Sequence, residues 1–183
     1  MLITRTTNLW GLTKMKNHLI LAFSFLLLCG CSTTTKPVAS PSSKVSLDSL
    51  KKLEGRWESA KDKDGQKETI VYKLTSGGAA LEETLFPGTD HEMVSVYYQS
   101  GDTVAMTHYC MLGNRPQFQA LNAGSNEIEF KMVESPGINQ EIDRHMHHID
   151  MKFIDASHID IQWQGMANGK PDHDKELSFH KVS

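Results

Sequence analysis

The chain has 183 residues, and its Asp and Glu outnumber Lys and Arg 22 to 19, for a net charge of −3. That balance lacks the basic surface a nucleic-acid binder needs, so no nucleic acid is expected as a partner. Three cysteines in all are too few for a disulfide-stapled scaffold, and stability must come from an ordinary apolar core.

Met15, Lys16 and His18 precede ten mostly apolar residues, Leu19 to Leu28. This is the length of a signal-peptide core and too short to span a bilayer. Met15 opens the basic segment and is the expected true start. The run ends in Leu28-Cys29-Gly30-Cys31, which resembles the bacterial lipobox, where Cys31 would be acylated and become the first mature residue. Residues 1–31 are therefore expected to be a lipoprotein signal peptide, with lipid on Cys31 making the membrane a partner. Ser32 follows in place of the aspartate that commonly retains lipoproteins in the inner membrane. The expected address is thus the outer membrane, facing the periplasm, in a cell with two membranes. Arg5, Lys14 and Lys16 leave with the signal, so the mature net charge falls to about −6 and attachment rests on acyl chains rather than a basic patch. Cys110 is then the only remaining thiol.

Residues 32–44, STTTKPVASPSSK, have almost nothing to bury and read as a flexible linker. The domain occupies 45–183. Val45, Leu47, Leu50 and Leu53 fall near helical spacing, with Ser46 as N-cap and Gly55 beyond, and predict one short helix. After Gly55 the pattern becomes period-two runs broken by turn residues such as Asp64-Gly65, Gly77-Gly78, Gly101-Asp102 and Asn168-Gly169. The runs are roughly 55–60, 67–75, 79–86, 91–99, 102–111, 116–122, 126–134, 142–154, 157–166 and 174–182. Such punctuation predicts about ten strands joined by hairpins.

Alternation is clean where Ile128, Phe130 and Met132 interleave with Glu127, Glu129 and Lys131, so one face is dry and the other wet. The expected fold class is all-β: a roughly ten-stranded antiparallel up-and-down barrel preceded by the short helix. Closure satisfies both sheet edges, and a two-sheet sandwich is the alternative. A barrel of this size can leave a cavity for a small molecule.

Gly55-Arg56-Trp57 after a short helix resembles the Gly-x-Trp opening of the calycin superfamily of lipocalins, fatty-acid-binding proteins and nitrobindins. Met106 to Pro116, and His145-Met146-His147 with Phe153, Asp155, His158 and Trp163, resemble an uncharacterised family of bacterial calycin-like barrels over about residues 48–182. The resemblance implies the barrel and no established activity. Nitrobindins carry Gly-x-Trp-x-Gly-x-Gly around haem, and here Glu58-Ser59-Ala60-Lys61 lacks those glycines.

His145 and His147 alternate with Ile149, Met151 and Phe153, which predicts that both project inward near one barrel end. Val104, Met106, His108 and Cys110 share a face in the same way. Convergence of His108, Cys110, His145 and His147 would assemble transition-metal donors, with His108, His145 and His147 as the metal set. The bland alternative makes them hydrogen-bonded wall residues. Cys110 is either a thiolate nucleophile or a small buried hydrophobe. Glu83 could orient a ligand from inside, since Glu82 and Glu83 face opposite ways. Tyr97, Tyr109 and Arg115 are the groups that fix the polar end of an apolar ligand, and Trp57 joins them as lining. Asp62-Lys63-Asp64-Gly65 is not a calcium loop, because Val71 stands where the bidentate Glu belongs.

No nucleophile elbow, phosphate loop or zinc-protease helix motif occurs, so binding rather than catalysis is expected. The expected function is a lipid-anchored envelope protein holding a small, mostly apolar ligand in a barrel cavity. One alternative is a haem- or metal-binding barrel handling reactive nitrogen or oxygen species. Another is a structural or partner-binding lipoprotein with a filled barrel.

Overall fold

The computed structural model describes residues 44–183. The expected signal peptide, Cys31 and nearly all of the expected linker lie outside the described residues.

The apolar positions before Gly55 form the short helix their spacing predicts, a single turn, α1 (Asp48–Lys51). Ser46 lies one residue before the assigned cap, Leu47, and its Oγ accepts the Asp48 N–H at 3.2 Å. Val45, Leu47, Leu50 and Leu53 in and around this turn are all drawn into the core, each 5% exposed or less. Burying four such side chains favours a plug over a free amphipathic helix, at about 1.5–3 kcal/mol each.

Ten strands follow: β1 (Gly55–Ser59), β2 (Thr69–Thr75), β3 (Ala80–Leu85), β4 (Met93–Ser100) and β5 (Thr103–Tyr109). The second half is β6 (Gln117–Ala123), β7 (Glu127–Met132), β8 (His145–Phe153), β9 (His158–Ala167) and β10 (Lys170–Lys181). Each pairs antiparallel with its sequence neighbour, and β1 pairs with β10 through Trp57 opposite Lys181 and Ser59 opposite Phe179. The barrel is therefore closed, as the alternation predicts, and the sandwich alternative is excluded. Every strand, the plug and the core lie within the described residues.

The two barrel ends differ. At one end the α1 segment is bolted to the wall: the Leu47 N–H donates to Gln99 Oε1 at 2.8 Å, and Gln99 Nε2 donates to the Val45 carbonyl at 3.2 Å. Lys52 Nζ lies 3.6 Å from the centroid of the Phe153 ring at the same end. Trp57 Nε1 donates to the Leu53 carbonyl at 2.7 Å, so Trp57 joins the plug to β1. The opposite end, where the β3–β4, β5–β6, β7–β8 and β9–β10 connections meet, has no such plug among the described residues.

Between the ends the lumen is filled. Trp57, Tyr72, Tyr97, Phe118, Phe130 and Phe179 are each 1% exposed or less, and Tyr97 of β4 meets Phe130 of β7 edge-on at 5.5 Å between centroids. Side chains of this size close the middle of the barrel, so room for a guest is confined to the unplugged mouth.

Two irregularities shape that mouth. Pairing of β8 with β9 shifts between Met146 and His148, which leaves His147 as the extra residue of a bulge. Pairing of β10 with β9 shifts between Pro171 and His173, with Asp172 extra. A bulge interrupts the two-residue period, so the inward series Ile149, Met151 and Phe153 does not extend in simple alternation to His147 and His145.

Candidate functional site

A cup of about 410 Å³ opens at the mouth. Its apolar lining comes from Leu85 and Phe86 at the end of β3, Met93 at the start of β4, Leu112 after β5, Met146 on β8 and Trp163 on β9. Gly165 also lines it, where a Cβ would lie 3.5 Å from His173. Phe86 is held in the left-handed region at φ 56°, and its N–H donates to the Thr69 carbonyl at 2.8 Å. Such strain in a bulky residue persists only where its surroundings enforce it.

The charged residues of the cup are paired. Arg144 Nε meets Asp172 Oδ2 at 2.6 Å, which uses the bulge in β10, and Lys175 Nζ meets Glu68 Oε1 at 2.8 Å. His145 stands in the same wall and is 1% exposed. Its Nδ1 lies 2.7 Å from the Asp143 carbonyl, and a carbonyl can only accept, so Nδ1 carries the proton. In the neutral ring Nε2 is then a bare acceptor, and it is buried without a partner.

Beneath the cup runs a row of polar side chains on successive register partners: Tyr72 opposite Glu83, Glu83 opposite Ser95, and Ser95 opposite His108. Glu83 is two residues deeper along β3 than Leu85. Its carboxylate accepts from Tyr72 Oη at 2.7 Å and Tyr97 Oη at 3.0 Å. Burial pushes the Glu83 carboxyl up from its ordinary value, against the pull of hydrogen bonds from Tyr72, Ser95 and Tyr97. Ser95 Oγ lies 3.0 Å from His108 Nδ1, and burial holds the His108 imidazole down at about 4. His108 is therefore neutral at pH 7, and its Nε2 has no partner.

The structure disperses the sequence-predicted site residues. His145 and Cys110 line the cup. Glu83, Tyr97 and His108 lie below it in the sealed polar row, and Trp57 belongs to the plug. Tyr109, half-exposed, and Arg115 line a separate outer groove of about 530 Å³, which Cys110 also borders. His147 sits in the bulge with its ring 5.6 Å, centroid to centroid, from that of His145. Burial lowers the His147 pKa, and His145, Lys131 and His148 add to the effect. The expected set of His108, His145 and His147 is not assembled: among the described residues no group of three or more His, Cys, Asp or Glu is placed to hold a metal ion. The reason is local. His108 faces Ser95, and the bulge takes His147 out of the cup wall.

The Cys110 thiol is half-buried, and desolvation raises its pKa against hydrogen bonds from the Leu112 and Met111 backbone and the field of Arg144. It is a poor nucleophile in this state. Met146, Trp163, Phe86 and Leu112 are among the cup residues that sequence reasoning missed, as are the polar His91, Arg144, His173 and Lys175. Trp163 had the signal, because it alternates with Ile159 and Ile161, both buried. No protein-family model matches the chain, and no curated protein matches it in sequence.

Proposed function

We propose that this calycin-like barrel is a small-molecule carrier or receptor of the bacterial envelope, tethered by lipid on Cys31, which takes a mostly apolar ligand into the mouth cup. The observation that carries this reading is the cup itself: a concavity of about 410 Å³, walled by Leu85, Phe86, Met93, Met146 and Trp163, above a lumen that side chains fill. Apolar walls with a few convergent polar groups are the ordinary form of a small-molecule site. Native mass spectrometry of the purified protein, with extraction of any bound lipid, tests it. A bound apolar species displaced by substituting Trp163 with Ala supports the reading. A bare mass, with no uptake of apolar fluorophores, defeats it. Replacing Cys31 with Ser and following partition into detergent tests the tether separately.

A second reading takes His145 as the axial ligand of a haem. An imidazole whose Nδ1–H is held by a backbone carbonyl is the arrangement that metal-bound histidines use, and Nε2 would hold the iron. It ranks second because the rim cations that could meet haem carboxylates, Arg144 and Lys175, are already paired with Asp172 and Glu68. A haem absorption band in the purified protein would reverse that order.

A further inference from the structure

We infer that the cup selects ligands whose polar end is an uncharged hydrogen-bond donor, such as an alcohol or a primary amide, over carboxylates, and that His145 sets this preference. The inference rests on the reading of the cup as a ligand site and names the class of molecule that fits it.

Three observations converge on it. First, the Asp143 carbonyl fixes the tautomer of the neutral His145 ring, whose other nitrogen then offers a lone pair. A donor-bearing head satisfies that lone pair, while an ether or ester oxygen confronts it with a second one. Second, this nitrogen is buried without a partner in an apolar wall, where an unmet acceptor carries a standing desolvation cost. A ligand that supplies the missing proton removes the cost. Third, the two formal cations lining the cup are each held by a carboxylate, Arg144 by Asp172 and Lys175 by Glu68. A ligand carboxylate would therefore meet arginine and lysine charges that are already balanced and partly solvated, and it gains less from them than from a free, buried cation.

Met146 shares the wall with His145. Its unbranched thioether chain is the adaptable element that can move aside when a head group reaches the buried nitrogen. The lower polar row does not compete for the head, because Glu83, Tyr72, Tyr97, Ser95 and His108 lie below the cup and none of them lines it, whereas His145 does.

The test compares three probes of equal chain length: decanol, decyl methyl ether and decanoate. Each displaces a bound apolar fluorophore from the protein at pH 8, where decanoate is ionised. Decanol is expected to bind about fivefold tighter than the ether, the equivalent of ~1 kcal/mol and of one net hydrogen bond. In His145→Leu that ratio is expected to fall to about one, and in His145→Gln, whose amide oxygen can again accept, it should persist. Circular dichroism checks both variants, and the Gln variant decides the matter if the Leu variant fails to fold. Equal or tighter binding of the ether, decanoate binding as tightly as decanol, a ratio that His145→Leu leaves unchanged, or a ratio lost in folded His145→Gln would each overturn the inference while the cup reading stands. Failure of all three probes to displace the fluorophore would remove the cup reading itself.

Discussion

Replacing His108 with Asn isolates the stability that a buried neutral imidazole brings to the barrel. The ring is 1% exposed, and burial holds its pKa at about 4, against 6.5 for an unperturbed histidine. Between those values the unfolded chain binds a proton that the folded chain refuses, so stability rises with pH across that window. The contribution is fully present above pH 6.5 and is lost as pH falls toward 4. A depression of this size corresponds to about 3 kcal/mol. Glu83 acts with the opposite sign, because its raised pKa makes stability fall as pH climbs above the unfolded carboxyl value. Comparing wild type with His108→Asn leaves Glu83 and the other histidines common to both proteins, so the difference isolates the imidazole. The Asn side-chain nitrogen sits near the position of Nδ1 and can keep the bond to Ser95. Urea unfolding at half-unit steps from pH 4 to pH 7.5 measures the effect. The stability gap between the two proteins is expected to change by about 3 kcal/mol across that range. A gap that stays constant with pH would refute the claim that His108 is folded in neutral and sealed.

Other substitutions follow from the same geometry. Glu83→Ala strips the shared acceptor from the Tyr72 and Tyr97 hydroxyls, each a buried group, and should cost about 2–6 kcal/mol in urea unfolding. Glu83→Gln should cost about 1 kcal/mol, because the amide oxygen still accepts and a tyrosine oxygen can take the amide proton; equal losses for the two variants would count against the network. Gly55 holds φ at +129°, and a Cβ there would run into the Ser183 carbonyl oxygen, which accepts the Arg56 N–H at 2.9 Å. Gly55→Ala should therefore lower stability by ~2 kcal/mol or more, read as a drop in Tm, and removing Ser183 should restore part of it. The Cys110 thiol, raised by burial, should react with a disulfide reagent at pH 7.5 more slowly than a free cysteine and speed up with pH. A rate matching free cysteine would mean that the β5–β6 connection stands open.

The chain's own residue pattern determined the ten strands, their order and which face of most of them is dry. In β7, for example, Ile128, Phe130 and Met132 are buried while Glu127 and Lys131 are exposed, as a two-residue period requires. Turn pairs at short intervals forced neighbouring strands to pair, and an unbroken meander with one apolar face had closure as its simplest way to satisfy two edges. The site was less legible. Glu83 was readable as inward-facing by parity, yet its partners Tyr72 and Tyr97 come from two other strands and meet it only through register. The pairing of His108 with Ser95 was likewise decided by register, while His145 meets the Asp143 carbonyl locally, two residues back in the chain. Above all, the bulge at His147 and the one at Asp172 break the period on which sequence reading depends, and each adds a residue without leaving a local mark in composition. Only the folded barrel decided that His147 leaves the cup wall while His145 stays, because the face a strand residue takes depends on which residue of the neighbouring strand it meets.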